Sequence, residues 1–276
     1  MKLAVWTAED PASERVAAAL LEAGHFKTPG PRPGTAIDGP TATMLLEVEG
    51  SLLAADYVER RAAAAGGGPV SRALFLSKHS AASGKRSFTV HPVGNLGSEA
   101  RFGGQPRRLV PPDPEAATAL LRALGDAAPA VGSAATFEAT HHGPVLEVPA
   151  LFVEVGSSLP DWRSEALCGA LARAVARAWM PLPDRAPGGG EAAAGVGGGH
   201  YHPRHTDHAR RTGTPIGHLV PDHALKDTDD ATLDAALAQT RAARVLIDGR
   251  SLSARERLRV RQAADRQGAR VVELGR

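Results

Sequence analysis

The order of elements written into this sequence predicts an α/β protein. Short apolar runs of strand type recur along the chain, and capped segments with a helical apolar period lie between them. Polar groups able to do chemistry gather where the strand-like runs end, as in Ser77-Lys78-His79-Ser80 and Thr89-Val90-His91-Pro92. Active sites on α/β scaffolds are built this way, because loops at strand ends carry function while the sheet fixes their positions.

Leu3-Ala4-Val5-Trp6 reads as the first strand. Asp10 then supplies a helix N-cap with Pro11 at the first helical position, Val16, Leu20 and Leu21 form the apolar stripe, and Gly24 ends it. Residues 27–40, rich in proline and glycine, read as a loop. Residues 44–48 and 52–57 flank Glu49-Gly50 and suggest a hairpin. Ala73-Leu74-Phe75-Leu76 has the continuous apolar character of a strand buried on both faces.

Asp113-Pro114 opens a helix in which Ala117, Leu120, Leu121 and Leu124 keep the helical period until Gly125. Residues 151–155 are again strand-like and lead through Gly156-Ser157 into a helix of about residues 160–180, with Ala166, Leu167, Ala170, Leu171 and Val175 inward and Pro181 as the stop. Residues 186–194 are low in complexity, a flexible loop and a candidate boundary. A strand at 243–248, a helix opening near Ser253 and a strand at 269–274 complete a strand–helix–strand unit. There is no internal repeat and no linker that divides the chain cleanly, so residues 1–276 are expected to form a single domain.

With 43% hydrophobic residues the chain can bury a sizeable core. Its one cysteine, Cys168, lies in an apolar helical run and is expected to pack as a small hydrophobe. The N-terminal apolar run is too short for a signal-peptide core, and nowhere do about 18 apolar residues run without a charge, so a soluble cytoplasmic protein is expected. Net charge is only +2, yet arginines 241, 244, 250, 255, 257, 259, 261, 266, 270 and 276 face few acids at the C-terminal end. Such an excess can hold a phosphate backbone, or can simply be a solvated helix face.

All histidines except His25 fall between His79 and His223. A neutral imidazole can bind a metal or act as general base, since its ordinary pKa of about 6.5 lies near working pH. His141 and His142, if extended, point to opposite faces, so only one enters a given site unless Gly143-Pro144 bends the chain. His200 and His202 have the i, i+2 spacing of a shared strand face, suited to a common metal, although no HExxH or CxxC completes a zinc signature. Glu154 stands inside an apolar strand, where a bare carboxylate would cost several kcal/mol and must find a partner. The competing reading is a strand-end acid in water. Lys78 and Lys85 flank Ser80, Ser83 and Gly84 in a loop able to offer donors to an anion, and Gly197-Gly198-Gly199 allows close backbone approach to a ligand.

Taken in series, Asp10-Pro11-Ala12-Ser13, Ser77-Lys78-His79-Ser80, Ser83-Gly84-Lys85, residues 89–95, residues 140–144, residues 152–157 with Trp162, Gly198-Gly199-His200-Tyr201, Pro203-Arg204 and Gly217-His218 resemble the D-aminoacyl-tRNA deacylases of the archaeal and plant type. The resemblance implies a three-layer fold, a mixed central sheet with helices on both faces, similar to phosphorylases and peptidyl-tRNA hydrolases. It implies hydrolysis of the ester between a D-amino acid and the terminal ribose of tRNA, and an association with zinc. The core of the site is then expected to be His79, His91, His142, His200 and Glu154, with His79, His142 and His200 as metal ligands. Lys78, Ser83, Lys85, Asn95, His141, Tyr201 and Arg204 are expected to meet the substrate, the acceptor end of the tRNA, with no membrane and no obligate protein partner involved. His202, His205 and His208 depart from the family pattern and are read as incidental. Two other readings remain at this point: an RNA-binding protein without catalysis, and a nucleoside hydrolase or phosphorylase.

Overall fold

The computed structural model describes residues 1–26, 35–37, 43–183 and 191–275. Most of the expected 27–40 loop and of the 186–194 segment lies outside the described residues. Strand β1 (Lys2–Trp6) is followed by helix α1 (Pro11–Glu22), capped by Asp10, whose side chain accepts from the backbone of Ala12 and Ser13. Strands β2 (Thr35–Ile37) and β3 (Thr43–Glu47) come next, and β3 pairs in parallel with β1.

The expected hairpin does not form. Leu52–Ala54 is instead a 3-10 turn capped by Ser51, and it leads into helix α2 (Val58–Ala62). Packing decides this: Leu52, Val58 and Ala62 share a buried cluster with Leu3, Val5, Met44, Phe75 and Phe152, which a strand beside β3 would not reach.

Strands β4 (Arg72–Ser80) and β5 (Ser87–Pro92), helix α3 (Pro114–Ala127), strand β6 (Ala134–Phe137) and strand β7 (Ala150–Ser157) complete the first sheet. Its order is β2-β3-β1-β4-β7-β5-β6, with β5 antiparallel to β7 and β2 antiparallel to β3, so the sheet is mixed. The expected helix over 160–180 is divided into α4 (Leu159–Trp162), α5 (Glu165–Ala174) and a wide turn at Val175–Trp179, because Ser164 caps a new helix by accepting from Leu167. Helices α1, α3 and α5 cover one face of the sheet through Leu20, Leu120 and Leu171, and α2 covers the other, giving three layers.

A second sheet holds β8 (Ala193–Val196), helix α6 (Pro203–Thr212), β9 (Ile216–Val220), α7 (Asp230–Thr240), β10 (Arg244–Ile247), α8 (Ala254–Arg266) and β11 (Arg270–Glu273). Its order is β11-β10-β8-β9, and every pair is parallel. The expected strand–helix–strand unit is β10-α8-β11. Residues 137–141 join the two sheets: Ala139 donates to the His200 carbonyl (2.8 Å), Thr140 to that of Leu219 (2.8 Å), and His202 donates to that of Phe137 (3.1 Å). This seam brings residues far apart in sequence to one place.

Much of the C-terminal arginine excess is paired within the chain. Arg259 holds Asp230 and the carbonyls of Leu225 and Thr228, Arg261 holds Glu273, Arg266 holds Asp234 through two bonds, and Arg257 donates to the Gly249 carbonyl. No helix among the described residues is long and apolar enough to cross a membrane.

Candidate active site

Strand alternation and register assemble the floor of the site. Phe75, Ser77 and His79 share one face of β4, and Ser77 stands opposite Glu154 of β7, which in turn stands opposite Thr89 of β5. One step along, Phe75 stacks on Phe152 (4.6 Å between centroids), and Phe152 stacks on His91 (5.2 Å). Three strands thus set a row of rings beneath a row of polar groups.

Glu154 is buried, and its partners come from both neighbouring strands. Thr89 donates to it at 3.0 Å, His79 Nδ1 lies 3.4 Å from Oε2 and His91 Nε2 lies 3.7 Å from Oε1. Burial would raise its pKa, but the His79 and His91 contacts outweigh that and hold the carboxyl well below its ordinary range. The reading of Glu154 as a solvated acid is thereby excluded.

A second buried carboxylate, Glu138, completes the cluster and was not foreseen. It leaves β6 at the seam, with Oε1 3.1 Å from His79 Nδ1 and Oε2 3.6 Å from His200 Nε2 and 3.9 Å from His141 Nε2. Neither oxygen receives a well-aligned hydrogen bond among the described residues. The available signal was a lone acid between Phe137 and Ala139, just ahead of the His141-His142 pair.

His79 therefore sits between two carboxylates, with its Nε2 2.8 Å from the Tyr201 hydroxyl. Burial lowers its pKa, yet the Glu154 hydrogen bond and the charges of Glu138 and Glu154 raise it above the ordinary value, and the same balance raises His91. His142 is depressed to about 4 by burial and by its neighbour His91, and His141 is driven down by the same causes, so both are neutral near pH 7.

Both members of the His141-His142 pair enter the site, the case expected only where the chain bends here. His142 adopts a left-handed backbone (φ 44°), which turns its ring back. The two rings lie 4.1 and 4.9 Å from that of His91. Their tautomers are set by the backbone: Nδ1 of His91 donates to the Pro92 carbonyl (3.0 Å), that of His141 to Ala139 (2.7 Å) and that of His142 to Gly143 (2.6 Å). In the neutral ring each Nε2 then presents a lone pair, the orientation a metal ligand or general base requires.

Three sets of side chains bring ligand atoms within 4.8 Å of one another: His91-His141-His142, Glu138-His141-His200 and His79-Glu138-Glu154. The expected metal ligands His79, His142 and His200 are thus divided among different sets. These imidazoles and carboxylates fit a divalent metal of zinc type, and the unsatisfied Glu138 oxygens and His91 Nε2 are the atoms that such an ion would engage. His202 does not join His200: it is buried at the start of α6, with Nδ1 3.2 Å from His205 Nδ1, while His205 Nε2 donates to the Leu246 carbonyl. His208 contacts Thr214, also away from the cluster.

Of the expected substrate residues, Tyr201 and His141 touch the cluster. Lys78 is exposed at the rim, 5.2 Å over the Trp162 ring, its backbone held by Asp10. Asn95 braces the following loop by donating to the carbonyls of Gly103 and Gln105. Ser83 and Lys85 lie on the exposed turn between β4 and β5. Arg204 is held by Asp248 and the carbonyls of Leu274 and Gly275, at the edge of the second sheet. Cys168 is buried, and burial pushes its thiol up to about 11.

Residues 67–272 match a family model described as D-aminoacyl-tRNA deacylase. The chain belongs to this family. The D-aminoacyl-tRNA deacylase of Ignicoccus hospitalis is 38% identical over 72% of this chain and 79% of its own length. That of Methanosarcina acetivorans is 32% identical over 83% and 75%. A crystal structure titled as a conserved protein of unknown function superposes with a TM-score of 0.87 at 29% identity, covering 99% of this chain and 95% of that one. As a deacylase of this family the chain is a hydrolase.

Proposed function

We propose that the chain hydrolyses the ester joining a D-amino acid to the terminal ribose of tRNA, at the cluster centred on His79, His91, His142, His200 and the carboxylates Glu138 and Glu154. Family membership supports the reaction, and one observation carries the site: three imidazoles whose Nδ1 atoms are committed to backbone carbonyls present their Nε2 atoms into one space beside two buried acids. A D-aminoacyl-tRNA acceptor end is the partner this requires, and such a substrate belongs in the cytoplasm. Residues 1–276 act as one unit in this reading, because the cluster draws on both sheets.

Zinc is the cofactor that the donor set suits, and when bound it would supply an acidified water and a Lewis acid for the ester carbonyl. The protein's own groups do the rest. Glu138 and Glu154 orient His79 and offset its charge, so that it can carry a proton beside the reacting ester. His142, neutral near pH 7, can accept a hydrogen bond from the attacking water through Nε2 and so orient it. The Tyr201 hydroxyl and the His79 imidazole offer donors to the oxyanion that develops. Lys78 at the rim supplies positive charge for the approaching polyanion.

Alanine at His79 or His142 should cut deacylation at least about a hundredfold while far-UV circular dichroism stays native. Near-normal turnover of D-aminoacyl-tRNA by both variants would remove them from the mechanism. Neither a purely RNA-binding role nor a nucleoside substrate is favoured by the family match.

A further inference from the structure

Two cavities of about 270 Å³ each meet at His142, which lines both. One is bounded by Thr7, Glu9, Gly50, Leu53 and Lys78 and reaches Glu154. The other is bounded by Asn95, Leu96, Phe102, His141, His200 and Pro221. The loop carrying Phe102 crosses between them. Asn95 holds the Gly103 carbonyl, Gly143 donates to that of Phe102 (3.1 Å), and a Cβ at Gly103 would overlap the Leu53 carbonyl.

The backbone at Phe102 is therefore fixed, while the residue is 68% exposed, more than any other large apolar residue among those described. Among the described residues Phe102 belongs to no buried apolar cluster. An aromatic face held rigidly at the mouth of a site is what an unpaired base stacks on, because every base offers a π-face of similar size. An aminoacylated tRNA end has two bodies joined at the ester, and the two cavities are joined at an imidazole.

We propose that the cavity under Phe102 takes the terminal adenosine of the tRNA, its base stacked on the Phe102 ring, and that the cavity between Glu9 and Lys78 takes the amino acid. This assignment rests on the deacylase reading. The exposed carboxylate of Glu9, with one oxygen on the Gly50 amide, gives the second cavity an acceptor for the α-ammonium group, while the Phe102 cavity is walled in part by Leu96, Pro221 and Ala224, suited to a base.

Two experiments test it. Phe102→Ala should raise KM for D-aminoacyl-tRNA between about five-fold and a hundred-fold, the effect of losing one base–aromatic stack, and Phe102→Trp should restore it. The exposure of Phe102 means truncation leaves the core untouched. The indole of Phe102→Trp should also be quenched by uncharged tRNA, and much less by tRNA trimmed of only its 3′-terminal adenosine. An unchanged KM for Phe102→Ala, or equal quenching by intact and trimmed tRNA, overturns the assignment. A wild-type protein that leaves D-aminoacyl-tRNA intact, together with adenosine-dependent quenching in the Phe102→Trp variant, would count against the deacylase reading and leave the adenosine site standing.

Discussion

Nδ1 of His79 lies 3.1 Å from Oε1 of Glu138, inside a structure where that carboxylate has no exposed surface. A residue of β4 and one just past the end of β6 are thus tied at the point where the two sheets are stitched together. Glu138→Gln keeps the shape and removes the charge, so His79 is left with Glu154 alone. Deacylation should fall by about ten- to a hundred-fold, as for other groups that orient a catalytic or ligating imidazole. Steady-state kinetics with a thermal melt checks this, and wild-type turnover in a folded Glu138→Gln protein would show that Glu138 is only structural.

Gly156 leaves room for His79. A Cβ there would stand 2.7 Å from Cδ2 of the imidazole and 3.0 Å from its Cβ, so the ring would have to move. Gly156→Ala should cost about 1–3 kcal/mol of stability from overpacking and should lower kcat about ten-fold by displacing His79. Urea titration and a rate measurement on the same sample would test it. A variant with unchanged kcat would show that the ring position is not critical.

How much of this was legible in the sequence depends on how each signal is carried. Asp10, Pro11 and Asp113 announce their helices through capping chemistry that is local, and the apolar strands β4 and β7 announce themselves by continuous burial. His79 and Glu154 were readable because a polar residue in such a run has no cheap alternative to a partner. Glu138 was not, since its burial is created by the seam with residues 200–202 and 219, which no local pattern encodes. The hairpin expected at residues 44–57 failed for a related reason: Leu52 and Val58 answer to Phe75 and Phe152, far along the chain. The rings of His141 and His142 would diverge on an extended chain, and the left-handed turn at His142, which residue types alone do not announce, sends both inward.

Metal removal should separate two roles of the cluster. His141 belongs to two of the three ligand sets, so His141→Ala should lower bound zinc more than any other single imidazole replacement. Dialysis against a chelator should abolish deacylation, and zinc should restore it. Full activity in protein shown by elemental analysis to be free of metal would assign the chemistry to side chains alone.

Outside the site, His205 predicts a pH dependence of stability. Burial depresses its pKa from 6.5 to about 4, partly offset by the bond to the Leu246 carbonyl. Between those values the native protein holds fewer protons than the unfolded chain, so stability is present above about 6.5 and is lost as pH falls toward 4. The slope is at most about 1.4 kcal/mol per pH unit for one group. His205→Gln, measured by urea unfolding at several pH values, should flatten that slope, and an unaltered slope would show that His205 is not a source of acid lability.

The most direct measurement is release of amino acid from D- and L-charged tRNA by the wild-type protein at equal enzyme concentration. Rapid loss of the D-ester, with the L-ester spared, is the predicted result. Binding of tRNA without any loss of the D-ester would contradict the account.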